Sequence, residues 1–203
     1  MTVSWSPHRF SGGALALDVA NTVVLRNDPE KTFDRFADAA EIGRFAGAAS
    51  VFRAAELAGR TLHVADAAAG RARIVALREA CDRFFRDAAA TGSGAAALLA
   101  PVLGACAAAL EDHDGRLALW GSPFGGSASP VAFEAALAIS ALSLLAPERL
   151  ARIRICANCA WLFLDASRNG SRVWCDMAVC GNRQKAKRHY SRHRTPAREN
   201  RHD

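Results

Sequence analysis

The 203-residue chain is 51% hydrophobic, enough to bury a real core in one or two domains. Its charge is uneven: residues 151–203 carry 12 basic and 4 acidic side chains, net +8, and residues 1–150 carry 14 and 16, net −2, so a polyanionic partner is expected for the tail alone. Neither a secretory signal nor a membrane span is expected, because Met1–Arg9 is mixed and polar, and Val131–Ala146, the longest apolar run, falls short of the ~20 residues a span requires. A cytoplasmic location follows as an expectation, and there grouped cysteines hold metal more often than they form disulfides.

In chain order, Leu15, Leu17 and Val19 alternate with Ala14, Ala16 and Asp18, which predicts a strand within Gly12–Thr22. Asp18, Asn21 and Thr22 close it. They read either as a turn and cap or as the polar rim of an effector pocket that could include Arg44, Arg78 and a Gly-rich loop. Asp38 caps a helix over Ala39–Ala48 with Ile42 and Phe45 inward, and Gly59 breaks the pattern. A long helix is predicted over Asp66–Ala90, where Ile74, Leu77, Cys81, Phe84 and Ala88 form one apolar stripe that Thr91-Gly92-Ser93-Gly94 ends. An alanine-rich helix spans Ala95–Leu110, with Pro101 a candidate kink. Arg116–Trp120 reads as a strand and Gly121–Ser127 as the Gly-rich loop. Pro130 opens a further helix that Pro147 stops.

The C-terminal region carries Cys156, Cys159, Cys175 and Cys180 spaced C-x2-C-x15-C-x4-C, and two such pairs can supply four thiolates to one tetrahedral Zn²⁺. Four thiolates with the ion add −2 locally, which leaves the tail near +6. Cys156–Cys159 forms a knuckle, and Trp161–Asp165 a strand with Trp161 and Phe163 on one face. Asn169-Gly170 turns it, and Ser171–Trp174 returns as a second strand. Asp176 caps a helix from Met177 that holds Cys180 in its opening turns, which completes a treble-clef arrangement. On this helix Arg183, Lys187, Tyr190 and Arg194 fall at i, i+4, i+7 and i+11, and Lys185, Arg188 and Arg192 broaden the cationic face toward nucleic acid. Asn182 and Arg183 read as internal braces of the finger or as base readers, the brace favoured for Asn182 and the DNA contact for Arg183. His189 and His193 face phosphate or solvent, or form a second metal pair. Residues Ala197–Asp203 read as a flexible tail. Cys81 and Cys106, outside the cluster, read as small buried hydrophobes.

The Cys180-Gly181-Asn182-Arg183 tetrad, with Arg168-Asn169-Gly170 and Trp174-Cys175-Asp176-Met177 before it, resembles the CGNR zinc finger family over about Leu150 to Arg194. In that family the finger closes bacterial regulators of stress-induced transcription. Gly13–Thr22 is similar to the opening motif of the accompanying ABATE domain. The resemblance implies zinc on the four cysteines, DNA as the partner of the basic helix, and a sensor-like α+β body. Ala160 and Val179 depart from the pattern without touching a proposed ligand.

The expected fold is therefore α+β: a helix-rich N-terminal domain with a small sheet over residues 1–149, which senses an effector or assembles a homodimer, then a treble-clef finger over 150–203. The leading function is DNA-binding transcription regulation. A protein-docking module, with Trp161 and Phe163 as its contacts and an acidic surface as its partner, is the alternative. An enzyme is not expected, because no catalytic motif appears and four thiolates leave a zinc ion no open position.

Overall fold

The computed structural model describes residues 2–111, 113 and 130–194. The strand expected over Arg116–Trp120, the loop Gly121–Ser127 and the tail Ala197–Asp203 lie outside the described residues. A 3-10 turn, Pro7–Phe10, leads into α1 (Leu15–Ala20), a short antiparallel pair β1 (Val23–Val24) and β2 (Phe33–Asp34), and α2 (Ala40–Phe52). Then follow β3 (Leu62–His63), α3 (Ala67–Thr91), α4 (Ala96–Leu110), β4 (Val131–Ala132), α5 (Phe133–Ser143) and α6 (Pro147–Leu150). The C-terminal part contains β5 (Ile153–Ile155), β6 (Leu162–Leu164), a π turn (Met177–Gly181) and α7 (Asn182–Arg194).

The spine is α3. Asp66 Oδ1 accepts from the N–H groups of Ala68 and Ala69 at its start, and Gly92 ends it at φ 78°, a left-handed conformation that glycine adopts without strain. Ile74, Leu77, Cys81, Phe84 and Ala88 are buried as one stripe, against which α4 and α5 pack. Asp38 Oδ1 accepts from Ala40 N–H at the start of α2, and Ile42 and Phe45 are buried. The ring of Phe45 meets Trp5, Phe10 and Phe133, and Trp5 Nε1 donates to Glu41, which ties the N-terminal segment down. Pro101 does not divide α4, which continues through it. Among the described residues no helix is long and apolar enough to cross a membrane.

Three expectations are corrected. Leu15–Ala20 is a helix, not a strand: all six residues are buried, because α3, α5 and β6 surround α1. Alternation therefore marked no solvent face, and the alanines pack as the leucines do. Pro130 does not open a helix. Val131 N–H donates to the Thr61 carbonyl, β4 pairs in parallel with β3, and α5 starts only at Phe133. Pro147 begins α6 at a first-turn position rather than merely ending α5.

A fourth correction concerns the finger. β6 pairs not with Ser171–Trp174 but with β5, antiparallel in the register Ile153↔Leu164, Arg154↔Phe163, Ile155↔Leu162. The other edge of β6 is already taken. Asn21 lies alongside it, its Oδ1 accepting from Leu162 N–H and its Nδ2 donating to Leu162 C=O, both at 2.9 Å. Leu164 N–H donates to Gly12 C=O at 2.8 Å. Gly13, at φ 83°, permits this approach, since a Cβ there would sit 3.1 Å from that of Leu164. With both edges occupied no third strand can add. The 167–173 segment is held instead by the buried Asp165 carboxylate, which accepts from Ser167 and Arg172 N–H groups.

Residues on β6 alternate between two interiors. Leu162, with Ile153 of β5, belongs to the core of the helical body, whereas Trp161 and Phe163 pack around the cysteines. The 149/150 division is thus crossed by both hydrogen bonds and apolar packing. Asn21→Ala would leave a buried N–H and C=O of Leu162 without partners. Urea unfolding should show a loss of about 2–4 kcal/mol, and a loss within error of zero would mean that this edge is dispensable.

Candidate metal centre

The first cysteine pair sits in the turn of the β5–β6 hairpin. Cys156 N–H donates to Trp161 C=O at 2.8 Å and Ala160 N–H to Cys156 C=O at 2.9 Å, which closes the knuckle. Ala160 holds φ 59°, a left-handed position that a side chain seldom adopts. Its carbonyl accepts from Arg86 Nη1 at 2.8 Å, and Arg86 is itself paired with Asp82 on α3. The body thus steadies the strained residue beside the knuckle.

The second pair is set by Asp176. Its Oδ1 accepts from Ala178 and Val179 N–H groups, and its backbone carbonyl accepts from both Cys180 and Gly181 N–H groups. The last of these bonds spans five residues, so the helix opens with a π turn, a distortion common at functional sites. Gly181 is buried, and a Cβ there would lie 2.4 Å from Met177 Sδ. Burial pushes the Asp176 carboxyl up, but bonds from His8, Val179 and Ala178 more than offset this and hold it below its ordinary value.

Together the two pairs bring four Sγ atoms within 4.8 Å of one another, with Cys159–Cys175 and Cys175–Cys180 each at 3.7 Å. A tetrahedral ion with metal–sulfur bonds of about 2.3 Å requires sulfur–sulfur separations of about 3.8 Å. The residues therefore fit one metal ion. Cys156, Cys175 and Cys180 are buried and Cys159 half-buried, with Trp161, Phe163 and Trp174 around them. Thiols this close compete for protons: bonds from Cys159 and Cys175 hold Cys156 down, while its partner Cys159 is pushed up. A cation resolves that competition by favouring all four thiolates. Cys81 and Cys106 are buried outside the cluster; burial raises both, Cys106 to about 11, as inert structural thiols require.

The helix of the predicted nucleic-acid face follows directly. Arg183, Lys185 and Lys187 are exposed on α7, as is Tyr190, and Arg188, Arg192 and Arg194 belong to the same helix. Asn182 Nδ2 donates to Ala178 C=O, which makes it a brace of the π turn. Gln184 Nε2 donates to Asn158 Oδ1 at 2.8 Å and so ties the helix back to the knuckle.

Asp18, Asn21 and Thr22 are all buried, and their polar atoms bond to protein. Asp18 accepts from Gly12 N–H and Arg53, Asn21 bridges to Leu162, and Thr22 Oγ1 donates to Val19 C=O. Burial raises the Asp18 carboxyl to about 7 against the pull of Arg53. Arg78 joins Thr22 but is held by Asp34, and Arg44 pairs with Glu41. Only the Thr22 bond is local, as in a turn and cap; Asn21 and Asp18 instead reach Leu162 and Arg53, remote in sequence. Trp161 and Phe163, the contacts invoked for protein docking, are also buried; among the described residues the large exposed apolar side chains of the finger are Val173, Met177 and Tyr190.

One outer residue was not legible in the sequence. His8 Nδ1 lies 2.9 Å from Asp176 Oδ2, and its ring stacks on Trp161 with centroids 5.3 Å apart. No local spacing signals a contact across 168 positions. Asp176→Ala removes both the helix cap and the His8 contact. It should lower stability by about 1–2 kcal/mol and let a chelator strip the site at about tenfold lower concentration. Wild-type chelator sensitivity would show that the cap does not aim Cys180.

No curated protein matches this chain. The ABATE likeness of Gly13–Thr22 rests on that motif alone, because the family match begins at residue 152. From two sulfur pairs on a knuckle and a capped helix to the bracing Asn182, residues 152–193 match the CGNR zinc finger family, and this part of the chain is a CGNR zinc finger.

Proposed function

We propose that the chain is a DNA-binding transcription regulator in which one zinc ion fixes the root of a cationic helix. The observation that carries this reading is the join between the sulfur cluster and α7. Cys180 lies in the π turn that runs into the helix, and Gln184 is bonded to the knuckle residue Asn158. The helix direction is therefore tied to the metal shell at two points. Over its 13 residues, about 20 Å, α7 carries no acidic side chain, and its cations fit a phosphate backbone bordering the major groove.

Zinc is favoured because the four sulfurs close around one ion, whereas a multi-iron cluster would place several irons between them and spread them further. Zinc here supplies folding energy and fixed geometry, and a four-thiolate shell leaves no position for substrate, which supports binding over catalysis. The chain's own part is to deliver the thiolates, cap the helix through Asp176 and present the cations.

The test is a DNA-binding series with genomic fragments on the metal-loaded protein. Binding should weaken with salt along a log–log slope of roughly −4 to −6, about one unit per phosphate contact. Lys185→Ala should reduce the slope by about 1. Metal analysis should find one zinc per chain, and stripping it should abolish specific binding. A flat salt series, or unaltered affinity after chelation, would overturn the proposal.

A further inference from the structure

Arg9 and Arg35 meet at a cleft of about 430 Å³ between the N-terminal segment and residues 33–38. Arg35 is only 7% exposed, and its guanidinium lies 5.6 Å from the Phe33 ring centroid and 5.4 Å from that of Trp161. Among the described residues its side chain makes one hydrogen bond, from Nη1 to Asn21 C=O at 3.2 Å. Arg9 Nε donates to Ser4 C=O at 2.8 Å. Among the described residues, neither guanidinium forms an ion pair.

Elsewhere in this body Arg26, Arg53, Arg78 and Arg86 each meet a carboxylate. The two acids that border the cleft are engaged elsewhere: Asp34 is held bidentately by Arg78 at 2.6 and 2.8 Å, and Asp38 caps α2. A buried cation without a counter-charge is costly, and a second cation beside it adds repulsion. Burial first, then Arg9, pushes Arg35 down to about 10. An anion in the cleft would relieve both effects. Among the described residues the remaining N–H groups of Arg35 have no acceptor, which leaves them available to one. The cleft also has an apolar wall, since Phe33 is 52% exposed and Val3 and Ala37 line the same space. Its volume is in the range of small-molecule sites.

We propose that this cleft binds a small organic carboxylate with an aromatic or apolar body, Arg9 and Arg35 taking the carboxylate and Phe33 the body. Planar guanidinium groups suit a carboxylate, and the neighbouring ring offers stacking. The site differs from the buried Asp18, Asn21 and Thr22. It lies against the finger, because Arg35 covers one side of Trp161, which packs on the cysteines.

Isothermal titration of the metal-loaded full chain with benzoate, and with benzamide as a neutral partner of similar shape, tests the assignment without DNA. Its outcome is thus separate from that of the DNA-binding proposal. Benzoate should bind saturably and benzamide at least about tenfold more weakly, as loss of a charge-assisted contact implies. Arg9→Gln, at a less buried position than Arg35, should weaken benzoate about tenfold with metal content and unfolding midpoint unchanged, and Phe33→Ala should weaken both probes. Equal binding of the two probes, wild-type benzoate binding by folded Arg9→Gln, or no saturation at concentrations on the order of 10 mM would overturn it. So would a folded Arg9→Gln that loses affinity for duplex DNA but none for benzoate, which would make the cleft part of a nucleic-acid surface.

Discussion

Strand β6 is bonded along both edges and packed on both faces. One edge belongs to β5, the other to Asn21 and Gly12. One face enters the helical core through Leu162, while Trp161 and Phe163 surround the sulfurs. A metal-bound unit of this size has too little apolar surface for a strong core of its own. Here it shares one, and each fully buried Leu or Ile adds about 2–3 kcal/mol. Thiolate coordination is folding energy for a small site, and β6 packs that site directly against α1 and α3. A loosely tethered finger would have neither this stabilisation nor a fixed orientation relative to the body.

The outer layer of the metal centre extends the same coupling. Arg86, anchored on α3, bonds the left-handed Ala160; His8, from the N-terminal segment, meets Asp176 and stacks on Trp161; Arg35 covers the same indole. Three separate parts of the body therefore touch the knuckle or the helix cap. A displacement of the N-terminal segment would bear on the residue that opens α7. On the proposed carboxylate site this matters physically, because Arg9 is one residue from His8 and lines the same cleft as Arg35.

What could be read from the chain alone was local. The cysteine quartet declares itself because tetrahedral thiolate chemistry demands paired ligands at short spacing, and Asp176 is legible because a cap acts on residues two and three positions later. Likewise α3 follows from a stripe repeated over 25 residues between Asp66 and Gly92. Misreadings arose where burial was complete or the partner was remote. Leu15–Ala20 has no exposed face, so its alternation carried no information about direction. The Asn169-Gly170 turn is real, with Gly170 at φ 59°, yet it closes a loop on Asp165 rather than a hairpin. Strand pairing was decided by which edge of β6 remained open, and that depended on Asn21 and Gly12, far away in sequence.

Charge completes the argument. A net count of −2 for residues 1–150 suggests a body indifferent to polyanions, but the placement of its arginines is more informative than the sum. Arg26, Arg53, Arg78 and Arg86 are neutralised by carboxylates that bind α1, β2 and α3 together, so their charge is structural. The α7 sequence itself carries no acidic residue, and repulsion among its cations favours any partner that carries phosphates. Arg9 and Arg35 form no ion pair among the described residues, and they are set in a cleft with an aromatic wall. An elongated polyanion suits the first arrangement and a compact single anion the second. The two arrangements therefore divide by shape, and Trp161 lies between Arg35 and the sulfur cluster.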